Sequence, residues 1–87
     1  MKLKVRKDLA WRRVGGELFV VDAARSRLHE LNGTAAAAWE GLAAGKDAEL
    51  IAAGIAGEFE VAPAQAASDL AGFIKELSAA GLLEKAD

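Results

Sequence analysis

The chain contains no cysteine and no tyrosine, and among its 87 residues there is one proline, one histidine and one methionine. The absence of Cys excludes a disulfide framework, thiolate chemistry and cysteine-based zinc sites. With His29 as the single imidazole, a conventional metal site would need a carboxylate cluster, and no spacing of Asp and Glu here suggests one. Neither a metal nor any other cofactor is expected. Ser26, Ser68, Ser78 and Thr34 sit in no nucleophile motif, and Gly15-Gly16 and Gly33 make neither a GxGxxG nor a Walker loop. No catalysis is visible, so the chain reads as a non-enzyme. No apolar run approaches the roughly 20 residues that span a bilayer. The segment Met1-Lys2-Leu3-Lys4-Val5-Arg6-Lys7 is basic but lacks the apolar core of a signal peptide. A cytoplasmic protein with no membrane contact is the expectation.

A chain of 87 residues makes one domain, 1–87, just large enough for a single modest core. The net charge of −2 conceals an asymmetry: residues 1–31 carry +4 and residues 32–87 carry −6. A basic half on an acidic chain can attract an acidic partner segment, or it can be a set of solvated faces that keep the domain soluble.

The first third reads as β-structure. Leu9-Ala10-Trp11-Arg12-Arg13-Val14 and Glu17-Leu18-Phe19-Val20-Val21-Asp22 flank Gly15-Gly16, a two-residue hairpin signal. Asp22-Ala23-Ala24-Arg25-Ser26 is the next turn, leading into Arg27-Leu28-His29-Glu30-Leu31. This predicts a three-stranded antiparallel meander with its third strand at an edge. Residues 1–7 are expected as a flexible or partner-pairing arm, although the alternation of Lys2, Lys4 and Arg6 with Leu3 and Val5 permits a further short strand.

The rest reads as three helices. The first covers Gly33–Ala44, with Asn32 as N-cap, Ala35, Ala38, Trp39 and Leu42 on one face, and Gly45 as a stop. Asp47 caps the second, Ala48–Phe59, whose expected buried stripe is Leu50, Ile51, Ile55 and Phe59. Pro63 suits the first turn of the third, which runs to about Ala80 with Ala67, Leu70, Ile74 and Leu77 facing the core. Gly81 ends it, and Leu82-Leu83 can fold back as a closing contact. A three-stranded antiparallel sheet followed by a three-helix bundle is an α+β, winged-helix-like domain.

The joint Leu31-Asn32-Gly33-Thr34-Ala35 joins the third strand to the first helix without a loop and fixes the angle between a sheet edge and a helix. A groove between such elements suits an extended peptide. The same joint carries a resemblance, together with Trp11-Arg12, Leu18-Phe19-Val20-Val21-Asp22, Trp39, Gly45, Leu50-Ile51, Asp69-Leu70, Phe73-Ile74, Leu77 and Gly81-Leu82-Leu83. In this order and spacing the chain resembles the PqqD family, named for coenzyme PQQ synthesis protein D and also called the RiPP recognition element. The likeness covers nearly everything beyond residue 8.

The resemblance implies a non-catalytic, winged-helix-like peptide chaperone that binds the leader of a ribosomally made precursor peptide. The leader would add as an antiparallel strand beside the third strand and pack against the third helix. The domain would then present it to a radical SAM or other peptide-modifying enzyme. Strand addition draws affinity from backbone hydrogen bonds and specificity from alternate side-chain pockets. On this sequence the implied peptide-binding residues are Arg27, Leu28, His29, Glu30 and Leu31 of the edge strand, with Asp69, Phe73 and Glu76 of the third helix. Trp39, Leu70 and Ile74 are assigned to the core. Members serving the PQQ pathway carry a Pro-Glu-containing stretch where this chain has Asp22-Ala23-Ala24-Arg25-Ser26-Arg27, which points to another peptide pathway.

The alternative is a winged-helix nucleic-acid-binding domain. A recognition helix needs Arg, Lys, Asn or Gln aimed at bases and phosphates. The second and third helices offer Gln65 and Lys75 amid Glu49, Glu58, Asp69 and Glu76, a face that repels phosphate. A homodimer, formed through the edge strand, is compatible with the peptide reading.

Overall fold

The computed structural model describes residues 2–86. It contains β1 (Lys2–Val5), β2 (Ala10–Val14), β3 (Glu17–Asp22), a single 3-10 turn at Ala23–Arg25, β4 (Arg27–Asn32), α1 (Gly33–Ala43), α2 (Ala48–Glu58), α3 (Pro63–Ala79) and β5 (Leu83–Ala86). The expected meander is present as an antiparallel sheet in the order β2-β3-β4, which leaves β4 at an edge. The helices begin and end within a residue of expectation.

Register assigns the two faces of the sheet. Val20 lies between Trp11 and His29, and Leu18 between Arg13 and Leu31. Leu18, Val20 and Asp22 are buried, so this is the face on which the helices pack. α1 lies against it and supplies Ala36, Ala38, Trp39 and Leu42 to the core. Trp39 is fully buried and meets the partly exposed Trp11 edge-to-face at 6.5 Å. α2 adds Ile51 and Ile55, and α3 adds Ala66, Leu70 and Leu77.

Three helical positions turn the other way from expectation. α2 buries Ile51 and Ile55 only, and Leu50, about 100° around the helix from Ile51, is 60% exposed. On α3 the buried position is Ala66 and not Ala67, which is exposed, while Ile74 is half-buried at the margin. On α1 Ala36 is buried and Ala35 half-buried. Alanine carries too little apolar area to fix which of two neighbours faces inward, so the larger residues decide the rotation of each helix.

The termini of the helices show which caps operate. Asp47 accepts a hydrogen bond from the Leu50 N–H at 2.9 Å, and Pro63 starts α3. Asn32, expected as the cap of α1, makes no side-chain cap bond. Its backbone is still extended and opposes Glu17 in the ladder. The chain turns into α1 at Gly33, whose φ of +55° is open to glycine at little cost.

Lys2–Val5 does form a strand, and it pairs antiparallel with the chain's own β5, from Lys2 opposite Ala86 to Val5 opposite Leu83. Leu82 is buried as a closing contact, but the residues after it continue as a strand that was not expected. Arg6, just past β1, ties three segments together. Its guanidinium donates to Asp22 at 3.1 Å, to the Gly81 carbonyl at 2.8 Å and to Asp8, while its N–H donates to the Leu82 carbonyl at 3.0 Å. Asp22 is fully buried, so this pair anchors the end of β3 to the turn after α3. Arg25 adds a bond to the Ala80 carbonyl at 2.9 Å.

Candidate functional site

The hairpin determines which backbone groups of β4 are available. Gly15 has a φ of +64°, and only Gly15 and Gly16 separate Val14 from Glu17, the first opposed pair of the hairpin. A two-residue hairpin closes on a hydrogen-bonded pair, and bonded and non-bonded pairs then alternate along the ladder. Glu17, Phe19 and Val21 therefore point their N–H and C=O groups at β2. Leu18, Val20 and Asp22 point theirs at Leu31, His29 and Arg27 of β4. By the same alternation, Leu28, Glu30 and Asn32 direct their backbone donors and acceptors away from β3, along the free edge.

A concavity adjoins the strand-to-helix joint. It has a volume of about 80 Å³ and is lined by Thr34, Ala35 and Ala38 of α1, Ile55 of α2, and Asp69, Leu70 and Phe73 of α3. β4 runs directly into α1. Its packing is on β3 and α1, with no extensive contact to α3. The concavity thus lies among α1, α2 and α3, and its nearest approach to β4 along the chain is Thr34, two residues beyond Asn32. Its floor is apolar because Ala35, Ala38, Ile55, Leu70 and Phe73 supply most of the lining. Asp69 accepts a hydrogen bond from Gln65 at 2.7 Å, so a carboxylate stands at the rim.

The implied site residues divide accordingly. Asp69 and Phe73 line the concavity, whereas Glu76 is exposed and is not among its lining residues. Leu31 and His29 face the helices, while Leu28 and Glu30 lie on the opposite face and bring only backbone to the edge. Arg27 is exposed at the start of the strand. His29 is half-buried beside Val20, and its Nε2 is buried without a hydrogen-bond partner among the described residues. Thr34, Ala35, Ala38, Ile55 and Leu70 were not anticipated as lining residues, Leu70 having been assigned to the core. Thr34 and Ala35 had a visible signal, since they follow the loop-free joint immediately; Ile55 had none beyond its place in a helical stripe.

The electrostatics alter the reading of the basic N-terminal half. Arg13 makes a two-pronged pair with Glu40, at 2.7 and 3.0 Å, and Lys4 lies 3.7 Å from Glu84. Together with Arg6, these cations are neutralised by the chain's own acids. The Arg13 guanidinium holds the Glu40 carboxyl below its ordinary range, and Arg6 does the same to Asp8. Among the described residues no group of three His, Asp or Glu is placed to hold a metal ion. No described helix is long and apolar enough to cross a membrane.

Comparison with known proteins agrees with this architecture. TbiB1, solved in complex with the TbiA(beta) leader peptide, superposes with a TM-score of 0.87 at 25% identity, covering 97% of this chain and 99% of that one. Lasso peptide synthetase B1, solved in complex with the leader peptide, gives a TM-score of 0.86 at 21% identity, covering 98% of this chain and 100% of that one. No curated protein matches the sequence. The profile of the family described as Coenzyme PQQ synthesis protein D (PqqD) matches residues 17–83, from the start of β3 through every helix to the first residue of β5. A continuous match over that span, on the same strand-to-helix joint and the same helical core, makes this chain a member of the PqqD family.

Proposed function

We propose that this chain is a recognition element for the leader of a ribosomally synthesised precursor peptide. The leader pairs antiparallel with the free edge of β4, and one of its side chains enters the concavity beside Phe73 and Asp69. The observation that carries this reading is the coincidence of an unpaired strand edge with an apolar concavity at its end. Strand addition needs both, one for backbone affinity and the other for side-chain selection. The leader-bound state of TbiB1, which shares the fold over nearly its whole length, supports the assignment.

In this reading the domain performs no reaction itself. It delivers the leader-bound precursor to a separate modifying enzyme, of the radical SAM class or another, within the cytoplasm. The turn sequence Asp22 to Arg27 favours a pathway other than PQQ synthesis. The test is calorimetric titration with synthetic leaders of short precursor genes neighbouring its own. Saturable one-to-one binding by one leader, and none by its scrambled sequence, is expected. Absence of binding by every neighbouring leader would exclude the proposal.

A further inference from the structure

The face of the β2-β3-β4 sheet turned away from the helices is uncovered by any described part of the chain. Three of the five exposed large apolar residues lie on it: Val14 at 56%, Val21 at 42% and Leu28 at 65% exposure. Phe19 lies there too and is absent from the residues packed against the core. The register sets this face out in rows across the three strands. One row is Ala10, Val21, Leu28, and the next is Arg12, Phe19, Glu30. Each row has an aliphatic or aromatic centre on β3 and unlike residues at its two flanks: small against large in the first, cation against anion in the second. Neither Arg12 nor Glu30 has an ion-pair partner among the described residues.

Such a face is complementary to itself. Packed sheets keep their strands within about 30° of alignment, and a two-fold axis running along β3 exchanges β2 of one copy with β4 of the other. Arg12 then meets Glu30 of the second copy, Ala10 receives its Leu28, and Phe19 and Val21 meet their own counterparts at the centre. A two-fold axis across the strands would instead oppose Arg12 to Arg12, and like charges brought together cost affinity. We propose that a second copy of this chain packs on this face, sheet on sheet, about an axis along β3. Glu17 is the unfavourable element, because the same axis brings it near its own counterpart. A three-stranded face buries an area at the low end for specific interfaces, on the order of 1,000 Å² in total, so the dimer is weak and reversible. Both β4 edges stay open in it.

The test is sedimentation velocity of the full chain across a concentration series, with circular dichroism to verify folding. The wild type should pass from monomer to dimer as concentration rises. Arg12→Glu alone and Glu30→Arg alone should each raise the dissociation constant at least ~10-fold, through like-charge opposition. An equimolar mixture of the two variants should recover association, since each then supplies the charge the other lacks. Glu17→Gln should strengthen the wild-type dimer. If either charge variant fails to fold, Leu28→Ala takes its place and should weaken association by removing the side chain that faces Ala10. A wild type that stays monomeric into the millimolar range would overturn the proposal and leave the face to a different partner. So would a dimer that survives both charge reversals unchanged.

Discussion

Asp22 and Arg6 show how much one pair can hold in a domain of this size. Asp22 is buried completely, and its partner also bonds the Gly81 carbonyl. Asp22→Ala leaves a largely desolvated guanidinium with less compensation, and removing one member of a buried pair is strongly destabilising. A loss of about 2–3 kcal/mol is expected in urea unfolding, below the full effect because Arg6 retains Asp8. The double replacement Arg6→Met with Asp22→Leu should recover part of that loss. None of this was legible beforehand: Arg6 read as one of several cations in a basic arm, and Asp22 as a turn residue. Their partnership spans sixteen positions and depends on the end of β3 meeting the turn after α3. Local patterns carry no signal for it. Residues governed by local geometry were legible, as Asp47 and Pro63 show, because a cap or a first-turn proline acts within four residues.

At the scale of the element, β4 provides the sharpest experiment. Alternation along the ladder assigns the His29 N–H to β3 and the Leu28 N–H to the free edge. Leu28→Pro should therefore fold and lose leader binding, measured by calorimetry alongside circular dichroism. His29→Pro removes a ladder bond and should destabilise the domain, lowering its melting temperature sharply. The opposite pattern would mean that the hairpin closes in the other register. On α3, Phe73→Ala should weaken leader binding at least ~10-fold, as expected for an aromatic lining a recognition pocket. Glu76→Ala should leave affinity within about twofold, given its exposure outside the concavity. Elements proved more readable than their partners. The meander and the three helices follow from turn residues and periodicity, while β5 escaped notice because a four-residue strand exists only through its pairing with β1.

For the whole molecule, the ion pairs set the response to acid. Asp8 and Glu40 have carboxyls held below their ordinary range by Arg6 and Arg13. The unfolded chain thus takes up protons at a higher pH than the folded one does. The stability these pairs supply is present above the ordinary carboxylate range and is lost as pH falls through the depressed folded values. The melting temperature should be flat from neutral pH to about 5 and decline below about 4. Glu40→Gln should flatten that decline, and salt should weaken it, since the Asp8 and Glu40 carboxylates both reach solvent. With Lys4, Arg6 and Arg13 internally neutralised and the helices rich in acids, duplex DNA should show no measurable binding at physiological salt. A salt-dependent submicromolar affinity would restore the nucleic-acid alternative.

The pairing of β1 with β5 also matters for how such a domain can be carried. Lys2 and Ala86 stand opposite one another, so the chain enters and leaves the fold at neighbouring points. Adjacent entry and exit points are what a fold needs to be spliced into a surface loop of a larger host without prising the host apart. Joining the two strands by a short linker and opening the chain instead at the α1–α2 turn, near Lys46, should give a permuted protein with an intact β4 edge. A leader-binding module of this shape is therefore portable: an enzyme could acquire it as an internal insert as readily as a terminal appendage.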